Sequence, residues 1–294
     1  MHGMGNDFVV IDSYTHKISL NHHQIIKMAN RRTGIGADQI LIVEKSDLDN
    51  CDFKYRIFNA DGSEVEHCGN GARCFMLYVF EKKLTIKQKI NVEIMKGIIT
   101  LKLLDNNIVE VNMGKPKLDA VSVDFDENND SVTITNIKTK ILTKDNTNLC
   151  YKIYEINEND IDKNYSAKFT VVSMGNPHAV QIVDDIDSFN AENQGKWLES
   201  HHLFKNRVNA GFMQVLNKNN IKIRVYERGA GETMACGTGA CAAVVSGIVC
   251  GLLESPVTVQ TQGGNLNICW SGNLNDDIIM QGNATKVFDG IINI

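Results

Sequence analysis

One short pattern occurs twice in this chain and constrains its fold more than any other feature. Cys68-Gly69-Asn70-Gly71-Ala72 returns as Cys236-Gly237-Thr238-Gly239-Ala240, 168 residues on, and a glutamate stands four residues before each cysteine (Glu64 and Glu232). Met4-Gly5-Asn6-Asp7-Phe8 is echoed by Met174-Gly175-Asn176-Pro177-His178, and more loosely Arg32 to Gln39 by Arg207 to Gln214, at spacings of 170 and 175. Three pairs in one order imply two similar domains related by a pseudo-twofold axis. The boundaries expected are 1–115 for the first domain, completed by a β-like tail at 282–294, and 116–281 for the second.

Each repeated turn leads into a segment that is apolar on nearly every face: Ala72, Cys74, Phe75, Met76, Leu77, Tyr78, Val79 and Phe80 in the first, and Ala240, Cys241, Ala242, Ala243, Val244, Val245, Ile248 and Val249 in the second. A helix apolar all round is buried all round. The spacing therefore predicts central helices over 70–82 and 238–252. Alternating segments at 8–12, 39–44, 54–59, 91–104, 108–113, 169–174, 208–215, 221–226, 256–261, 266–270 and 277–281 predict strands. A shorter helix is expected at 21–30. The fold class is α+β: two pseudo-symmetric domains, each a curved, mainly antiparallel sheet or half-barrel around a buried helix, with the active site in the cleft between them. The stretch 115–166, rich in Asn, Asp and Lys, reads as a crossover and a peripheral, partly mobile elaboration with a β-like patch at 132–137.

A cysteine at a helix N-terminus faces unpaired N–H groups and about half a positive charge, which favour the thiolate. The N–H groups of Gly69, Asn70, Gly237 and Thr238 could hold a carboxylate. Two such turns facing each other would place an acid–base group on either side of one carboxylate-bearing carbon, the geometry that inversion of a stereocentre requires. Preorganised donors of this kind contribute roughly 3–4 kcal/mol each to an oxyanionic transition state. His178, directly after the repeated Gly-Asn element, and Glu227 are further candidates, although each could equally be a satisfied structural residue. The pair Glu227-Arg228 lies nine residues before Cys236, as Asn59-Ala60 lies nine before Cys68. Asn6, Asn59, Asn176 and Asn209 could be turn formers or neutral ligands for an amino acid.

Other functions are disfavoured by bulk properties. A net charge of −5 gives no general attraction to nucleic acid or an anionic membrane. No stretch reaches the roughly 20 apolar residues of a membrane span; the longest, 240–253, is interrupted by Ser246, Gly247 and Gly251. No signal peptide is recognised, so a cytoplasmic location is expected. None of the eight cysteines forms a CxxC pair, which weakens zinc-ribbon and thioredoxin readings.

The segments HGMGNDFVVID, RRTGIGADQ, FNADGSEVEHCGNGARCF, VSMGNPHAV and YERGAGETMACGTGACAA resemble the motifs of the diaminopimelate epimerases and span nearly the whole chain. The resemblance implies interconversion of LL- and meso-2,6-diaminopimelate for lysine and peptidoglycan synthesis. It implies no pyridoxal phosphate or other cofactor, no metal, and a homodimer with a small amino-acid substrate as its partner. It assigns Cys68 and Cys236 as the acid–base pair, with His178 and Glu227 supporting ionisation and positioning. Asn6, Gln39, Asn59, Asn176, Asn209, Glu227 and Arg228 would line the substrate site, Arg228 taking the distal carboxylate by bidentate pairing. Gly69, Asn70, Gly237 and Thr238 would bind the reacting carboxylate. Family members carry a few residues before the first motif, whereas Met1 adjoins it here, so a shortened edge strand or a late start is expected. A proline or hydroxyproline racemase on the same fold is the nearest alternative. A non-catalytic thiol redox or metal-binding protein is an alternative of another class.

Overall fold

A computed structural model describes residues 1–65, 68–142, 148–159 and 164–293. The chain divides into two compact units, unit 1 comprising Met1–Asn112 and Gln281–Ile294 and unit 2 comprising Met113–Met280. The architecture is α+β, mostly sheet with four α-helices among the described residues.

In unit 1, helix α1 (His22–Ala29) lays Ile25 and Met28 on Ile40 and Ile42. Strand Asn6–Asp12 pairs in parallel with Gln39–Glu44, which runs antiparallel to Phe53–Asn59. The last pairs antiparallel with Glu64–Val65 and in parallel with Lys89–Ile94, and two further antiparallel strands follow, Gly97–Leu103 and Ile108–Asn112. Helix α2 (Gly69–Glu81) is buried from Gly69 to Val79 and packs against several of these strands. Burial of this kind contributes roughly 1.5–3 kcal/mol for each large apolar side chain.

Unit 2 repeats the order. Pro177–Ile182 pairs in parallel with Asn209–Asn217, which runs antiparallel to Asn220–Glu227. That strand pairs antiparallel with Gly231–Thr233 and in parallel with Val257–Thr261, which pairs with Gly264–Cys269. Between the first two lies helix α3 (Ala191–Glu199), and helix α4 (Gly237–Val249) is the counterpart of α2. Both long helices end through a residue of positive φ, Lys83 after α2 and Gly251 after α4. Gly251 takes that conformation without a Cβ penalty.

Two expectations from sequence are corrected. The polar stretch before residue 166 holds two long strands, Val132–Leu142 and Asn148–Asn159, and the start of a third, Asn164–Ser173. They form consecutive antiparallel pairs leading to Pro177–Ile182. Thr133, Thr135, Asn136, Lys138, Asn157 and Glu158 are exposed, while Tyr151, Tyr154 and Ile156 are buried. The mobility expected there concerns in part 143–147 and 160–163, which lie outside the described residues. The tail after residue 283 is not a strand: a single bridge joins Thr285 to His2. Lys286 and Asp289 instead fasten it by ion pairs to Glu81 and Lys82. Helix α3 was not anticipated from sequence. It carries a glycine mid-helix, where a Cβ on Gly195 would lie 2.4 Å from Cβ of Tyr226.

Candidate active site

Cys68 is the N-cap of α2. Its backbone is extended (φ −139°, ψ 115°) and Sγ accepts the Gly71 N–H at 3.5 Å. The Cys68 N–H donates to the hydroxyl of the buried Tyr55 at 3.3 Å. Asn6, from the turn into the first long strand, sets its Oδ1 3.7 Å from Cys68 Sγ and accepts Asn70 Nδ2 at 3.3 Å. Asn6 Nδ2 donates to Asp38 at 3.2 Å. Next along, Gln39 and Asn59 face each other across an antiparallel pair, Gln39 Nε2 donating to Asn59 Oδ1 at 2.9 Å. Gln39 Oε1 is buried without a hydrogen-bond partner, an acceptor open to a donor. Beneath the turn, Arg73 is fully buried and donates to the Gly69 carbonyl at 3.3 Å and Asn70 Oδ1 at 2.8 Å.

Cys236 caps α4 in the same way, Sγ accepting the Gly239 N–H at 3.3 Å with Thr238 Oγ1 3.5 Å away. Asn176 Nδ2 donates to Thr238 Oγ1 at 3.2 Å, and Asn176 Oδ1 lies 3.1 Å from Nε2 of the fully buried His178. Asn209, also buried, binds backbone on both sides: its Nδ2 donates to the Pro177 carbonyl at 2.8 Å and its Oδ1 accepts the Arg228 N–H at 2.9 Å. Glu227 accepts Thr233 Oγ1 at 2.5 Å. The Arg228 side chain is exposed, with Nη1 donating to the Asn206 carbonyl at 3.2 Å.

Register fixes which positions correspond. Phe8 faces Gln39 and Gln39 faces Asn59; His178 faces Asn209, and the next pair, Ala210 with Tyr226, brings Asn209 level with Glu227. Asn6 thus matches Asn176, Gln39 matches Asn209, Asn59 matches Glu227, Cys68 matches Cys236 and Asn70 matches Thr238. The looser sequence echo that paired Gln39 with Gln214 is corrected: the equivalent of Gln39 is Asn209, five residues earlier. Unit 2 has His178 where unit 1 has Phe8 and Glu227-Arg228 where it has Asn59-Ala60, while unit 1 has Asp38 and Arg73 where unit 2 has Val208 and Cys241.

The electrostatics depart from the simple helix-end expectation at Cys236. Burial, then the neighbouring Glu227 carboxylate, push this thiol well above its ordinary value, and the hydrogen bonds from Thr238 and Gly239 offset only part of that. The resting group is a neutral thiol. Burial also raises the Glu227 carboxyl. Burial and the Arg228 charge lower His178 from 6.5 to about 3, so its imidazole is neutral and acts as a hydrogen-bonding group. Asp38, Tyr55 and Arg73 were missed from sequence as parts of the Cys68 site. The signals the sequence offered were the place of Arg73, one residue past the repeated motif, and that of Asp38 within RRTGIGADQ.

No helix among the described residues is long and apolar enough to cross a membrane. The family model described as diaminopimelate epimerase matches residues 1–118 and 170–287. A diaminopimelate epimerase of Cupriavidus metallidurans is 51% identical over the whole chain and 96% of its own length. One of Burkholderia ambifaria is 48% identical over the whole chain and 97% of its own. Among solved structures, a phenazine biosynthesis protein of the PhzF family from Bacillus anthracis has a TM-score of 0.62 at 15% identity, over 96% of this chain and 92% of that one. A hydroxyproline epimerase from Agrobacterium vitis has a TM-score of 0.58 at 11% identity, over 88% and 77%. These two likenesses concern the fold.

Proposed function

The chain belongs to the diaminopimelate epimerase family, an isomerase family, and we propose that it interconverts LL- and meso-2,6-diaminopimelate by proton transfer between Cys68 and Cys236. The observation that carries this reading is a cysteine at the N-cap of a buried helix, found twice and in equivalent places. In the proposed reaction both thiols serve one α-carbon. A thiolate on one face takes the α-proton, the electron pair moves into the carboxylate, and the thiol on the other face returns a proton to the carbon. The first-turn N–H groups at Gly69-Asn70 and Gly237-Thr238 receive the growing carboxylate charge. Asn6, Gln39, Asn59, Asn176 and Asn209 order the substrate or the turns that touch it, and Arg228 pairs with the distal carboxylate. His178 and Glu227 shape the polarity around Cys236.

The reading extends to a cytoplasmic homodimer that needs neither metal nor pyridoxal phosphate, with domains at 1–115 plus 282–294 and at 116–281. Support for these features is the family resemblance. The hydroxyproline epimerase shares the fold at 11% identity, whereas relatives near 50% bear the diaminopimelate name. The test uses purified, reduced protein with LL-diaminopimelate in deuterated water and no added cofactor. Early product should carry deuterium at the inverted carbon while recovered substrate stays protonated, and Cys68→Ala or Cys236→Ala should abolish inversion in both directions. Proline racemised at a comparable rate, or epimerisation by either variant with the fold intact, would overturn the reading.

A further inference from the structure

The internal repeat isolates one buried carboxylate that the reaction does not use. Glu199 ends α3 as Ala29 ends α1, 170 residues apart like Asn6 and Asn176. Each of their carbonyls receives an N–H from the segment that leads into the next strand, Ala37 to Ala29 at 3.2 Å and Val208 to Glu199 at 3.1 Å, the two donors one residue apart in the repeat register. Alanine suffices there in unit 1. In unit 2 the position holds a glutamate whose side chain is only 5% exposed, and a buried charge is retained at a cost unless it is well paired.

Its partners show what it holds. Glu199 Oε1 accepts the Gly229 N–H at 3.0 Å and Arg207 Nη1 at 3.1 Å. Gly229 follows Arg228 in an exposed turn where Gly229 and Gly231 both have positive φ. Arg228 is tied on one side through its own N–H to Asn209 Oδ1. Glu199 supplies the tie on the other side. In unit 1 the equivalent of Arg228 is Ala60 and that of Glu199 is Ala29, so the cation and its anchor are absent together.

We propose that Glu199 is a positioning residue for Arg228, fixing the turn so that the guanidinium is preorganised for the carboxylate remote from the reacting carbon. The proposal rests on the reading of Arg228 as the distal-carboxylate ligand. Preorganisation of this kind acts on binding, since the distal group does not change during proton transfer.

The experiment measures kcat and KM for LL-diaminopimelate with wild type, Glu199→Gln, Glu199→Ala, Arg228→Ala and the Glu199→Ala/Arg228→Ala double variant. Glu199→Ala should raise KM about tenfold, the worth of a hydrogen bond to a charged group, with kcat nearly unchanged. Glu199→Gln keeps an oxygen for Gly229 and should fall between. The double variant should show no KM increase beyond that of Arg228→Ala. Additive KM effects, or a loss confined to kcat, overturn the role of Glu199 while leaving that of Arg228. An unchanged KM in Arg228→Ala overturns both. Should Glu199→Ala fail to fold, Glu199→Gln and its double variant run the same cycle.

Discussion

Replacing His178 by phenylalanine, the residue that unit 1 carries at the equivalent Phe8, should make the protein more resistant to acid. His178 is fully buried, and its folded pKa is lowered from 6.5 to about 3. A lowered pKa on a base means that the unfolded chain binds the proton first. Stability is therefore complete above about pH 6.5 and is lost as pH falls toward 3. The loss is about 1.4 kcal/mol per pH unit within that window, or about 3 kcal/mol between pH 8 and 4.5. His178→Phe removes this term. At pH 8 it forfeits the 3.1 Å hydrogen bond to Asn176, about 1 kcal/mol, but also removes the buried Nδ1, which has no hydrogen-bond partner. The two stability curves should cross: the variant is near or slightly below wild type at pH 8 and more stable below pH 5. Urea unfolding at a series of pH values gives the difference, in which the carboxylates common to both proteins cancel. Parallel curves would show that His178 takes up its proton in the folded protein and would refute the argument.

Two other perturbations probe the same unit. Alkylation of Cys236 by iodoacetamide, followed on its peptide by mass spectrometry, should be slow at neutral pH because burial and the Glu227 carboxylate hold the thiol above its ordinary value; Glu227→Gln should move that profile to lower pH, and an unmoved profile would remove the carboxylate as a cause. Gly195→Ala should cost about 1–3 kcal/mol of stability through overpacking against Tyr226, despite the higher helix propensity of alanine, and so lower the urea midpoint; an unchanged midpoint would contradict the close contact.

What the sequence disclosed, and what it hid, follows from where the information resides. The central helices were legible because Phe75 to Val79 and Ala240 to Val245 leave no polar face, and a short motif marks each start. Of the strands before residue 166 only the patch at 132–137 was legible, because the exposed Thr, Asn and Lys read as loop, and only the fold shows Tyr151 and Tyr154 buried. Helix α3 was hidden by Gly195, a poor helix former that the contact with Tyr226 demands. Asn209 was named as a candidate but set in the wrong repeat register, since Arg207 to Gln214 resembles Arg32 to Gln39 in letters while strand pairing obeys hydrogen bonds. The helix-end position of Cys236 was readable. Its burial was not, because burial is a property of the packed unit, and here it outweighs the pull of the helix end on the thiol.

The differences between the two thiol sites bear on how a repeated scaffold can invert a stereocentre. Two-base inversion needs one thiolate and one thiol at the same moment, and two identical environments would leave that choice open. On the Cys68 side, Asn6 Oδ1 lies 3.7 Å from Sγ and accepts Asn70 Nδ2. Around Cys236 stands Glu227, where unit 1 has the neutral Asn59. A carboxylate beside a buried thiol disfavours its ionisation, and on the proposed mechanism Cys236 gives the proton in one direction and takes it in the other. The residue after Glu227 is Arg228, where unit 1 has Ala60, and on the proposed reading Arg228 is the cation for a second carboxylate. On that reading the Glu227-Arg228 dipeptide bears both on the ionisation of Cys236 and on the length of substrate accepted. A racemase for a monocarboxylic amino acid would need the first effect without the second.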